Sequence, residues 1–116
     1  EPPNEELLTN RTLNRLFSHN LKENGEITIG APKNVHSGLS IGAVSRKVPC
    51  IHPYYRITED ASIKYGSKAF GDCTISKFAM DQCIKASAAL ASTAFDLIEK
   101  NYLLSEVKEE FYNVFK

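Results

Sequence analysis

From Ile75 to Leu97 an apolar or small residue recurs every three or four positions: Ile75, Ala79, Cys83, Ala86, Leu90, Ala94 and Leu97. Phe78, Gln82, Ala89, Thr93 and Ile98 widen the stripe. This spacing predicts an amphipathic helix, and Thr74 is a residue type that caps one. From cap to end the helix runs about 26 residues and, at about 1.5 Å per residue, near 40 Å. Ala86, Ala88, Ala89 and Ala91 let another backbone approach closely. A chain of 116 residues is too small to bury so long and broad a stripe alone. A second copy would cover what one leaves bare, so a homodimer is the expected assembly.

The rest of the chain predicts shorter pieces around that helix. Pro2 and Pro3 keep the first nine residues irregular. Asn10 is a good N-cap for a helix over 10–23, with Leu13, Leu16, Phe17 and Leu21 on one face and Asn24-Gly25 as its stop. Glu26-Ile27-Thr28-Ile29-Gly30 alternates polar and apolar residues and predicts a short strand. The Gly- and Ser-rich stretch 31–47 reads as loop, with a turn of helix near 39–44. A second strand is expected over 54–58, since Pro49 and Pro53 place the β-prone run around them at a sheet edge or split it. A loop follows over 59–72, and Ser105 is placed to cap a last helix carrying Val107, Phe111, Val114 and Phe115. The expected fold is one α+β domain over 1–116: a long Ala-rich helix and two or three further helices packed on a small sheet.

Composition excludes more than it assigns. With 42% apolar and 24% charged residues the chain is built to fold. Its 14 basic and 14 acidic side chains balance, which removes the electrostatic case for nucleic acid. No apolar run approaches the roughly 20 residues of a membrane span. The start, Glu1-Pro2-Pro3-Asn4, is neither an initiator Met nor a signal peptide and reads as processed or excised. Asn10-Arg11-Thr12 is an N-glycosylation sequon, which makes Asn10 a candidate glycan site and, with that start, points to a secreted, extracellular protein. Cys50, Cys73 and Cys83 are disulfide candidates; the odd count allows one bridge with a spare thiol or three buried thiols.

Enzyme chemistry is poorly supported by the residues themselves. His19, His36 and His52 share no helix face, so one chain has no evident complete metal site. No strand-turn-helix elbow joins a Ser or Cys to a His. Gly38-Leu39-Ser40-Ile41-Gly42 lacks the spacing and the Lys of a phosphate loop.

One stretch carries a resemblance. Residues 37–57 contain Gly38-Leu39-Ser40-Ile41-Gly42-Ala43-Val44-Ser45, then Val48-Pro49-Cys50-Ile51-His52-Pro53-Tyr54-Tyr55. This resembles the last part of the catalytic domain of aminoacylase-like zinc metallopeptidases, in the branch of Xaa-Arg dipeptidase. That branch reads Gly-Ser-Thr-Asp-Phe-Gly-Asn-Val-Ser, then Val-Pro-Gly-Ile-His-Pro-Tyr-Phe. The likeness extends to 10–25 and to 86–111. It implies zinc binding at His52. The departures bear on activity: the motif's Asp is Ser40 here and its Asn is Ala43. A catalytic zinc needs about three protein ligands, an open position and a base. The resemblance therefore implies a scaffold without peptidase activity.

A retained His in an expected dimer suggests zinc shared across a two-fold axis, with His52 as ligand and His36 as a further candidate. The processed-looking start and the Lys and Tyr residues near His52 also resemble the secreted, blue, quinone-cross-linked pigments of foam nests. That likeness implies a Lys-Tyr-derived quinone, with Tyr54, Tyr55, Lys33 and Lys47 as first candidates. The expected function is thus non-enzymatic, a secreted, cross-linked, zinc-binding pigment or structural protein of a foam; the alternatives are an inactive excised fragment of a zinc dipeptidase and an interaction module of unknown partner.

Overall fold

The computed structural model describes residues 6–25, 41–60, 62–63 and 66–115. Five helices follow one another: α1 (Arg11–Glu23), α2 (Ile41–Ser45), α3 (Lys68–Cys73), α4 (Lys77–Glu99) and α5 (Asn101–Val114). Helices α1, α4 and α5 pack against one another and carry the core.

The first helix begins and ends as its sequence predicts. Asn10 is extended, at φ −80° and ψ 115°, and its side chain accepts from the Leu13 N–H at 2.9 Å. Gly25 adopts φ +100°, the left-handed conformation that closes a helix at low cost. Phe17 and Leu21 meet Ala89 of α4 in the main apolar cluster, and Ile51 packs on its edge.

Helix α4 is real but shifted. Ser76, not Thr74, is its N-cap, accepting from the Ala79 N–H at 3.1 Å. Thr74 instead donates its hydroxyl to the Gly71 carbonyl at the end of α3. Ile75, the expected first residue of the stripe, therefore lies outside the helix and is 84% exposed. The buried face is Ala79, Gln82, Ala86, Ala89 and Thr93. Cys83, Leu90 and Ala94 are exposed, so the face is rotated from the predicted stripe towards the residues that only widened it. Polar bonds fix this rotation: Asn20 of α1 donates to the Thr93 hydroxyl and to the Asp96 carboxylate, both at 3.1 Å. At 23 residues the helix is about 35 Å long.

The expected α+β architecture is overturned: the described residues are helical and contain no strand. The predicted strand over 54–58 is an irregular stretch with a bend at Ile57. Pro49 removes one donor and Pro53 another, and no strand among the described residues offers it a ladder. Side-chain contacts place it instead, Ile51 in the apolar cluster and Arg56 over the Phe78 ring. The predicted strand over 26–30 lies outside the described residues. Two helical boundaries also differ. The expected 59–72 loop contains α3, capped by the Ser67 hydroxyl. Helix α5 starts at Asn101 rather than near Ser105, with Lys100 alone separating it from α4.

Candidate metal and cross-link site

The segment Val48–Arg56 is anchored before it reaches His52. At the end of α2 the buried Ser45 hydroxyl donates to the Gly42 carbonyl at 2.6 Å and accepts from the Leu8 N–H at 2.9 Å. Arg46 donates to the Glu6 carbonyl. The Asn10 N–H donates to the Cys50 carbonyl at 2.9 Å, and Ile51 enters the apolar cluster. Beyond it the chain lies near α4, where the Arg56 guanidinium sits 5.8 Å from the centre of the Phe78 ring.

His52 is exposed on this anchored segment, its ring edge-on to Tyr54 with centroids 5.0 Å apart and planes at 88°. Lys47 is exposed two residues after α2. His36 and Lys33 lie outside the described residues, as does Ser40. The neighbouring Cys83 thiol, with partial burial, pushes the Tyr55 phenol above its ordinary range. Burial pushes the Cys50 thiol up. Both effects favour the protonated, unreactive form. Cys50, Cys73 and Cys83 are all free thiols here.

Among the described residues no three His, Cys, Asp or Glu side chains converge to hold a metal ion. His52 offers one imidazole, and zinc requires about three protein ligands even at a catalytic site. The described residues of one chain therefore do not make a zinc site. Further donors would have to come from another chain or from outside the described residues, and no hydrolytic step is derived through zinc.

Asn10 is a structural knot. It is 5% exposed, and while its side-chain oxygen caps α1 its amide nitrogen donates to the Val107 carbonyl of α5 at 3.0 Å. A saccharide joined to that nitrogen would have to precede or undo this packing. Sequence reasoning missed the neighbouring residue, Glu110. Its carboxylate accepts from the N–H of Arg11 and of Thr12 and from the Thr12 hydroxyl at 2.6–2.8 Å. Partial burial raises this carboxyl, but the Thr12 hydroxyl, the two backbone N–H groups and the Arg15 charge outweigh it and hold the group below its usual range. A free carboxylate at a helix N-terminus is well placed for this role, yet nothing local marks it, because its partner lies 98 residues away.

With this geometry in hand, comparison with known proteins gives one relationship. The chain is 35% identical over 108 residues to Xaa-Arg dipeptidase of Mus musculus, a match spanning 90% of this chain and 25% of that protein. The chain thus spans about a quarter of the length of the curated relative it matches. No protein-family profile matches the chain, and no solved structure matches it. The similarity agrees with the branch that the motif around His52 resembles. No helix among the described residues is long and apolar enough to cross a membrane.

Proposed function

We propose that this chain is a non-catalytic relative of the closing segment of Xaa-Arg-dipeptidase-like metallopeptidases, acting as a scaffold rather than as a working site. The observation that carries this reading is the 108-residue match, which covers nearly all of this chain but only a quarter of the relative. Peptide hydrolysis at zinc needs further ligands and a general base. In this reading those groups belong to segments other than these 116 residues. The test is hydrolysis of dipeptides ending in Arg, with zinc supplied. The expected result is no turnover above buffer by the chain alone. Turnover that disappears in His52→Ala would overturn the scaffold reading.

A second reading starts from residue types, with the exposed His52 beside Tyr54. In it the chain is a secreted foam-nest pigment of the ranasmurfin kind, with zinc held by His52 across a dimer and Tyr54 or Tyr55 joined to Lys47 or Lys33 as a quinone. Intact mass and a visible spectrum decide it. A mass equal to that of the unmodified sequence, with no visible absorption, rejects it.

A further inference from the structure

The face of α4 turned away from α1 and α5 is apolar, and no other described element packs on it. Met80, Ile84, Ser87, Ala91, Phe95 and Ile98 recur at intervals of three and four and are all exposed, Phe95 by 61% and Ile98 by 78%. At 100° per residue this seam lies nearly opposite the buried row of Ala79, Gln82, Ala86, Ala89 and Thr93. A helix that is apolar on two opposite sides is built to be covered on both. The seam is also symmetric in size about its middle. Two large residues stand at each end and the small Ser87 and Ala91 lie between them. Turned end for end, a second copy sets Met80 and Ile84 against Ile98 and Phe95, and Ser87 against Ala91. Along one flank of the seam run Lys77 near its start and Glu99 at its end. Antiparallel pairing brings Lys77 of each copy beside Glu99 of the other; parallel pairing puts this flank of the two copies on opposite sides of the seam, where neither charge finds the other. Lys77 already pairs with Asp81 in its own chain at 2.9 Å, and its own side chain is 89% exposed, which leaves its ammonium within reach of a second carboxylate.

We propose that this face of α4 is a two-fold, antiparallel seam for a second copy of this chain, crossing between Ser87 and Ala91. Self-complementarity of one patch is what a closed two-fold interface requires. The seam is about 27 Å long and narrow beside a standard interface, so the dimer dissociates in the micromolar range, on the order of 1–100 μM. The exposed Cys83 lies off the seam, and its symmetry mate is displaced about 18 Å along the axis. No Cys83–Cys83 bridge is therefore needed or expected.

The test is sedimentation equilibrium of the full chain under reducing conditions, from 1 μM to 1 mM. The expected species shifts from 12.9 kDa to twice that mass as concentration rises. Ala91→Glu places a charge at the crossing and holds the chain monomeric, with an unchanged far-ultraviolet dichroism spectrum because Ala91 is exposed. Lys77→Glu and Glu99→Lys each weaken association several-fold, and together restore it. A 12.9 kDa species at every concentration overturns the seam, as does an assembly indifferent to Ala91→Glu or a double swap that fails to rescue. Occupation of this face by the remaining segments of a dipeptidase, leaving a one-to-one complex, also overturns it while upholding the scaffold reading.

Discussion

One side of α4 presents Ala79, Gln82, Ala86, Ala89 and Thr93, and the other Met80, Ile84, Phe95 and Ile98. The small and partly polar side is the buried one, and the larger apolar residues face outward. Two properties explain the choice. Small side chains let α1 approach until Ala89 is wholly buried beside Phe17 and Leu21. The polar groups on that side are satisfied, with Asn20 donating to Thr93 and Asp96, and the Thr93 hydroxyl donating to the Ala89 carbonyl at 2.7 Å. Buried polar groups are tolerated when every bond is made. The pairing is thus specified by fit and hydrogen bonds, and the face with more apolar surface is left exposed.

The same truncation on the two faces gives the sharpest contrast. Phe17→Ala removes a ring from the buried side and is expected to lower unfolding stability by about 3–5 kcal/mol, measured by urea titration at a concentration where the chain is monomeric. Phe95→Ala on the outer face is expected to change it by no more than about 0.5 kcal/mol, while weakening self-association. Equal losses for the two variants would break the comparison.

Enlargement tests the close approach itself. Ala89→Leu forces two added carbons and a methyl branch into a fully enclosed position and is expected to cost about 1–3 kcal/mol. Ala91→Leu, two residues on, extends into open space in the single chain and is expected to be near neutral in the same titration. If Ala89→Leu were also neutral, α1 would not be seated on α4 as described.

The helices were largely legible in the sequence, and the face of α4 was not. Asn10, the periodic residues after it and Asn24-Gly25 state where α1 begins and ends, because caps act within four residues. The rotation of α4 depends on Asn20, more than 70 residues away, and apolar periodicity alone favoured Cys83, Leu90 and Ala94. The sheet was misread because 54–58 has strand-forming residues but no strand partner among the described residues; the packing of Ile51 and the stacking of Arg56 on Phe78 place the segment instead. At the candidate site, His52, Tyr54 and Tyr55 could be picked out by residue type and motif. The convergence or separation of their partners is a tertiary property that spacing does not encode.

A smaller effect comes from the α1–α5 junction. Asn10→Ala deletes the cap of α1 and the bond to Val107, leaving the Leu13 N–H and the Val107 carbonyl without these partners. The expected loss is about 1–2 kcal/mol, read as a lowered urea midpoint with an unchanged slope. Asn10→Asp keeps the acceptor for Leu13 but not the donor for Val107, and should fall between. If Asn10→Ala equals wild type, the junction contributes nothing to holding α5 on α1.

Glu110 gives the smallest effect, and its sign follows from linkage. Its carboxyl lies lower in the folded chain than its ordinary value of 4.5. The unfolded state therefore binds the proton more readily over the interval between the two values. The contribution to stability is fully present above the unfolded value and is lost as pH falls through the folded one. Because the group is largely solvated, the gain is screened to under about 1 kcal/mol. Urea midpoints for wild type and Glu110→Gln should differ at pH 6–7 and converge as pH falls below about 4. The Gln side chain can still accept one bond from Thr12, so the difference isolates the charge rather than the whole contact. A gap between the two proteins that is constant from pH 7 to pH 3 would show that Glu110 holds α1 by packing alone, and that the carboxylate charge at the N-terminus of α1 adds nothing to the junction.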